Sequence, residues 1–136
     1  MEHQRKVAID VRPLRTPRVH EVPAPTTLGS GRSGLRALLA QRDDLDGLFC
    51  SSDLLALGVI LEANALGLRI PERFSLVGFG DLSFSGDLDP ALTTVRVDGT
   101  RIGQEAARCI IDRAGNDRLP ARQIDVGFTI VERASA

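Results

Sequence analysis

The sequence predicts an α/β protein built on a parallel sheet, and three observations carry that prediction. Two short, continuously apolar runs, Gly47 to Cys50 and Phe74 to Phe79, have the length and composition of strands covered on both faces. A helical pattern over residues 53–66 lies between them. Both runs end in polar clusters, Cys50-Ser51-Ser52-Asp53 and Phe79-Gly80-Asp81-Leu82-Ser83. Parallel sheets collect ligands beyond the carboxyl ends of their strands, where such clusters belong.

The elements follow in order. Residues 1–17 show neither helix nor strand period, and Pro13 and Pro17 interrupt them. Val19 to Val22 reads as a short strand stopped by the Pro23-Ala-Pro25 turn. Leu35, Leu38 and Leu39 mark one face of a helix reaching about Arg42. After the strand at 47–50, Ser51, Ser52 or Asp53 can cap the next helix, Asp53 reading as a cap before it reads as a ligand contact. Gly67 is placed to end that helix in a left-handed turn, with Pro71 soon after. Leu92 to Val97 is a further strand, Asp98 caps a helix over 99–114, and a last strand lies within 122–132. The order is β-α-β-α-β, then β-α-β.

The two best-defined helices differ. In 99–114, Ile102, Ala106, Cys109 and Ile110 fall on one face, so one sheet face suffices to cover it. In 53–66, leucine, valine and isoleucine go all round, and the interior polar residues Glu62 and Asn64 lie nearly opposite each other. A helix without a polar face is covered on both sides. In a chain this short the second cover is expected from another subunit.

Composition narrows the function. At 136 residues there is room for one domain. Net charge is −1, and of 17 basic side chains only Lys6 is a lysine, the arginines being spread along the whole chain. That distribution argues against a nucleic-acid surface made by this chain alone. No apolar run approaches the roughly 18 residues of a membrane span, and the N-terminus does not read as a signal peptide, so a cytoplasmic location is expected. Cys50 and Cys109 are read as two buried, reduced thiols.

Gly29-Ser-Gly31-Arg-Ser-Gly34 matches G-x-G-x-x-G, but a dinucleotide fingerprint needs its first glycine directly after a strand. Pro23, Pro25 and two threonines intervene; a flexible start to the helix explains these glycines, and no cofactor is expected. No nucleophile elbow and no histidine pair with metal spacing is present in the sequence, so neither catalysis nor a metal is expected. The two polar strand ends remain. Their serine hydroxyls and helix N-terminus suit a polyhydroxyl or anionic ligand, and Phe79 offers an apolar face to a sugar ring.

Several segments together carry a resemblance. They are Cys50-Ser-Ser-Asp53-Leu-Leu-Ala56-Leu-Gly58, Gly67-Leu-Arg-Ile-Pro71-Glu, Ser75-Leu-Val-Gly78-Phe79, Pro90-Ala-Leu92-Thr93-Thr94-Val95 and Ile102-Gly103-Gln-Glu-Ala106-Ala107, with the ending Val131-Glu132-Arg133-Ala134-Ser135. In order and spacing they resemble the LacI/GalR family of bacterial transcription regulators over about residues 18–135.

The resemblance implies a three-layer αβα, periplasmic-binding-protein-like effector domain of two subdomains joined by three crossings. Residues 18–136 would supply mainly its C-terminal subdomain. Residues 92–97 would be one crossing, helix 99–114 would belong to the first subdomain, and the chain would return through about 119–123. The effector-binding residues would be Ser51, Ser52, Asp53, Phe79, Gly80 and Asp81. Homodimers would form through the helix after the Ser-Asp motif and the segment before Leu-Thr-Thr, that is through Leu54, Leu57, Leu61, Leu82, Phe84 and Leu88.

Departures from the pattern sharpen the expectation. The family's helix-turn-helix, hinge helix and most of the first subdomain have no counterpart here, so operator DNA would be reached only through an N-terminal domain outside this chain. Residues 1–17 do not match the family and are expected to be a truncated or frame-shifted start. Ser52 stands where asparagine is usual, and Gly80 where an aspartate is usual. Losing a carboxylate lowers repulsion toward an acidic ligand, and Gly78-Phe79-Gly80-Asp81 resembles the gluconate-type branch of the family; the resemblance thus implies a sugar or sugar acid such as gluconate as the effector. A periplasmic-type sugar-binding protein, or a chain without independent activity, are the alternatives.

Overall fold

The computed structural model describes residues 5–7, 18–41, 44–116 and 119–136. The elements are β1 (Arg5–Val7), β2 (His20–Val22), α1 (Leu28–Gln41), β3 (Gly47–Phe49), α2 (Asp53–Ala65), β4 (Ser75–Phe79), β5 (Thr93–Arg96), α3 (Gly99–Gly115) and β6 (Thr129–Val131). The main sheet runs β3-β4-β5-β6. Its first three strands are parallel, and β6 returns antiparallel to β5. The α/β fold class therefore holds, with an antiparallel edge that the apolar pattern did not announce. A second difference is β1, which pairs antiparallel with β2 where no strand period was legible.

The core lies between the sheet and the α1–α2 pair, and Leu35, Leu55, Val59, Phe74, Leu76 and Leu92 are buried there. Strand β4 alternates: Leu76 and Gly78 are buried, while Ser75, Val77 and Phe79 are more open. The open face is a correction to the expectation of strands covered on both sides. Phe49, Val77, Val95 and Ile130 border an apolar groove of about 630 Å³, and Ile130 is 58% exposed. Helix α3 likewise has no buried residue, leaving Ile102, Ile110 and Ile111 exposed. Cys109, expected to be buried, is half-exposed on it, whereas Cys50 is buried.

The glycine run lies inside α1, not in a flexible lead-in. Gly31 faces Gly58 of α2 with no room for a side chain: a Cβ on Gly31 would stand 2.2 Å from the Leu55 carbonyl oxygen, and one on Gly58 2.3 Å from that of Leu28. The two helices meet backbone to backbone. One turn further on, the buried Glu62 accepts hydrogen bonds from Arg32 and Arg36 of α1. Those two guanidiniums, Arg36 first, hold its carboxyl below the usual range. A residue read as a polar interruption of α2 is thus the ionic tie between the helices.

Gly67 adopts φ +68 at the end of α2, as its position predicts. The C-terminal tail completes the sheet. Ser135, fully buried, donates its hydroxyl to the Leu76 carbonyl and receives the Thr93 amide. Among the described residues no helix is long and apolar enough to cross a membrane.

Candidate functional site

Strands β3, β4 and β5 point their carboxyl ends to one edge of the sheet. The last paired positions of β3 and β4 are Phe49 and Val77, and Ser51 and Phe79 each follow two residues beyond that pair. The Gly80 amide bonds to the Val95 carbonyl, which brings β5 and Arg96 to the same edge. All six residues predicted for effector binding are therefore at or just behind one edge, but their side chains have different tasks.

Ser52, not Asp53, caps α2: its backbone is extended and its hydroxyl accepts the Leu55 amide at 3.3 Å. Asp53 is the first helical residue and is completely buried. One of its oxygens accepts the Thr94 hydroxyl at 2.6 Å; the other accepts the Ser85 hydroxyl at 2.6 Å and the Leu82 amide at 2.8 Å. The cap reading of Asp53 is corrected by this arrangement, and its carboxylate is completely buried and taken up by internal donors. Gly78 permits it, since a Cβ there would lie 2.2 Å from the nearer oxygen. Burial, and next the Asp53 charge, push the neighbouring Cys50 thiol far up; it is inert as a nucleophile.

Asp81 is the other carboxylate. It follows Gly80 (φ +125) and itself takes φ +49, a left-handed conformation that aspartate tolerates better than most residues. Its oxygens are held by Arg133 at 2.8 Å and Arg96 at 2.6 Å, and Arg133 also donates to the Leu92 carbonyl. The Arg133 hydrogen bond above all, and Arg96 after it, hold the Asp81 carboxyl below its ordinary value. A depressed carboxylate stabilises the fold above its unfolded value, about 4, and this contribution disappears as pH falls through the folded value. Arg133→Gln removes the first cause, so the midpoint of acid unfolding followed by circular dichroism is expected to move to higher pH. An unmoved midpoint refutes the clamp.

The edge thus presents Ser51, Phe79 (40% exposed), the bare backbone of Gly80 and the Arg96 guanidinium, 56% exposed. The Ser51 hydroxyl is buried without a hydrogen-bond partner. Thr94, Ser85, Arg96 and Arg133 escaped the sequence reading. The Thr93-Thr94 pair was the available signal, because two adjacent threonines in a strand face opposite sides; both prove buried.

Of the residues expected at a dimer surface, Leu61 and Leu82 are 42% and 44% exposed, and Leu54, Leu57 and Phe84 are partly so. Leu88 packs in part against the chain's own core.

The periplasmic binding protein-like domain family matches residues 11–136, beginning before residue 18, where the resemblance was expected to start. The HTH-type transcriptional repressor PurR of Pectobacterium carotovorum is 36% identical over 106 residues, 78% of this chain and 31% of its own. That of Proteus mirabilis is 38% identical over the same length. The chain spans about a third of the length of these relatives. Among solved structures, the transcriptional regulator CelR–cellobiose complex superposes with a TM-score of 0.75 at 29% identity, over 81% of this chain and 34% of that one. The transcription regulator GntR from Chromobacterium violaceum gives 0.71 at 35% identity, over 83% and 42%. This chain belongs to the periplasmic binding protein-like domain family, and within it corresponds to part of the effector-binding domain of LacI/GalR-type transcription regulators.

Proposed function

We propose that this chain is the effector-sensing and dimerising portion of a cytoplasmic LacI-type repressor, and that its effector is a sugar acid such as gluconate. The CelR relative, solved with cellobiose, supports a carbohydrate as the ligand class. Arg96 supports the acidic one. Asp53 is turned inward and Asp81 is held by Arg133, while the Arg96 guanidinium stays half-exposed at this edge. Effector binding would shift the relation between subdomains and so alter the grip of a dimer on DNA, DNA itself being contacted by a domain outside this chain. Helix α3, with its uncovered isoleucines, would pack on the first subdomain.

Calorimetric titration of the full-length protein with gluconate and glucose tests the reading. Gluconate is expected to bind more tightly, and Arg96→Gln to weaken it about tenfold by removing a charge-assisted hydrogen bond. Tighter binding of glucose would refute it. For the dimer, the stripe Leu54, Leu57, Leu61 recurs at helical spacing on α2. Leu61→Arg is expected to weaken dimerisation about tenfold or more in sedimentation equilibrium; an unchanged dimer would place the interface elsewhere.

A further inference from the structure

We propose that Asp53 is a positioning residue that couples the effector edge to the dimer surface, and that it does not touch the effector. The inference rests on the functional reading above. Asp53 opens α2, the helix that carries Leu54, Leu57 and Leu61. Its carboxylate holds the segment 81–85 through the Leu82 amide and Ser85 hydroxyl, and that segment contributes Leu82 and Phe84 to the same surface. On its other side it receives the Thr94 hydroxyl, which in turn accepts the Asp81 amide at 3.4 Å. Asp81 is held by Arg96, the half-exposed cation of the edge.

A continuous chain of polar contacts therefore runs from Arg96 through Asp81, Thr94 and Asp53 into α2. It has little slack at the Asp53 end. The site of Gly78 leaves no room for even a methyl group beside the carboxylate, and Leu92 closes the same space. It has a strained element at the other end, where Asp81 takes φ +49 directly after Gly80, a backbone conformation that persists in a non-glycine residue only when its surroundings hold it. An effector carboxylate that draws Arg96 away from Asp81 relaxes that element, and the Asp81 amide transmits the movement through Thr94 to the α2 N-terminus. Ser85 links the same movement to the segment 81–85, because its carbonyl also holds the Leu92 amide of the turn into β5.

The test measures the dimer dissociation constant of the full-length protein by sedimentation, with and without gluconate, alongside gluconate affinity by calorimetry. In the wild type, gluconate is expected to change dimer affinity by about 5- to 150-fold, the usual range of coupling between sites. Asp53→Asn preserves volume but replaces one acceptor oxygen by a donor. It should still bind gluconate, while the effect of gluconate on the dimer falls below about twofold, the coupling having been lost. Ser85→Ala removes one of the three donors and should reduce the coupling in the same direction. It decides the matter by itself if Asp53→Asn fails to fold. Folded Asp53→Asn that no longer binds gluconate, as a direct contact would require, overturns the proposal. So does wild-type coupling in the variants. A wild type that binds no gluconate or forms no dimer removes the functional reading and this inference together; coupled wild type with equally coupled variants removes the inference alone.

Discussion

Gly58→Ala is expected to cost about 3 kcal/mol of folding stability, the upper end of ordinary overpacking. The new methyl group would stand 2.3 Å from the Leu28 carbonyl oxygen and 2.9 Å from the Gly31 Cα. Both are backbone atoms of α1, so no side chain can rotate away, and the helices must separate. Separation would also draw Arg32 and Arg36 off the buried Glu62. In urea the unfolding midpoint should fall by about 1 M or more, given slopes of about 1–3 kcal/mol per molar for small proteins. Gly29→Ala is the matched control on α1. Its nearest neighbour would be the Thr27 hydroxyl at 3.6 Å, an ordinary contact, so alanine's helix propensity should stabilise by up to about 1 kcal/mol. Equal midpoints for the two variants would mean that the crossing of α1 and α2 is not set by the glycine contact.

The second large effect is expected at Asp53→Ala. Three donors lose their acceptor inside the protein: the Thr94 hydroxyl, the Ser85 hydroxyl and the Leu82 amide. Unmet buried donors cost about 1–3 kcal/mol each, and a cavity replaces the carboxylate, so a loss of about 3 kcal/mol or more follows even if one hydroxyl finds another partner. Hydrogen exchange adds a local readout. The Leu82 amide, protected by Asp53 in the wild type, should exchange at the rate of an exposed loop in the variant. Retained protection, or a stability change below about 0.5 kcal/mol, the level of an ordinary surface substitution, would show that the carboxylate is not the acceptor that holds segment 81–85.

These two positions also show where sequence reading reached and where it stopped. The strands β3, β4 and β5, the helices α1, α2 and α3, the Asp98 cap and the left-handed Gly67 were legible because each is dictated by neighbours within a turn or two of chain. So was the edge of the site, since parallel strands bring their carboxyl ends together whatever the loops do. The antiparallel turn of β6 was not legible, nor was the open sheet face: periodicity reports that a residue is apolar, not what covers it. The glycines of α1 were visible as a motif, but only the meeting with Gly58 of α2 explained them.

The clusters Cys50-Ser51-Ser52-Asp53 and Phe79-Gly80-Asp81, with the family they resemble, were determined by the sequence alone. Tertiary structure decided what each side chain in them does. The partners of Asp53 lie 29, 32 and 41 residues away, and Arg133 lies 52 residues from Asp81. A carboxylate within reach of a ligand and one already consumed by buried hydroxyls look the same in one dimension. Which of them is free depends on donors that only the folded sheet brings within hydrogen-bonding distance.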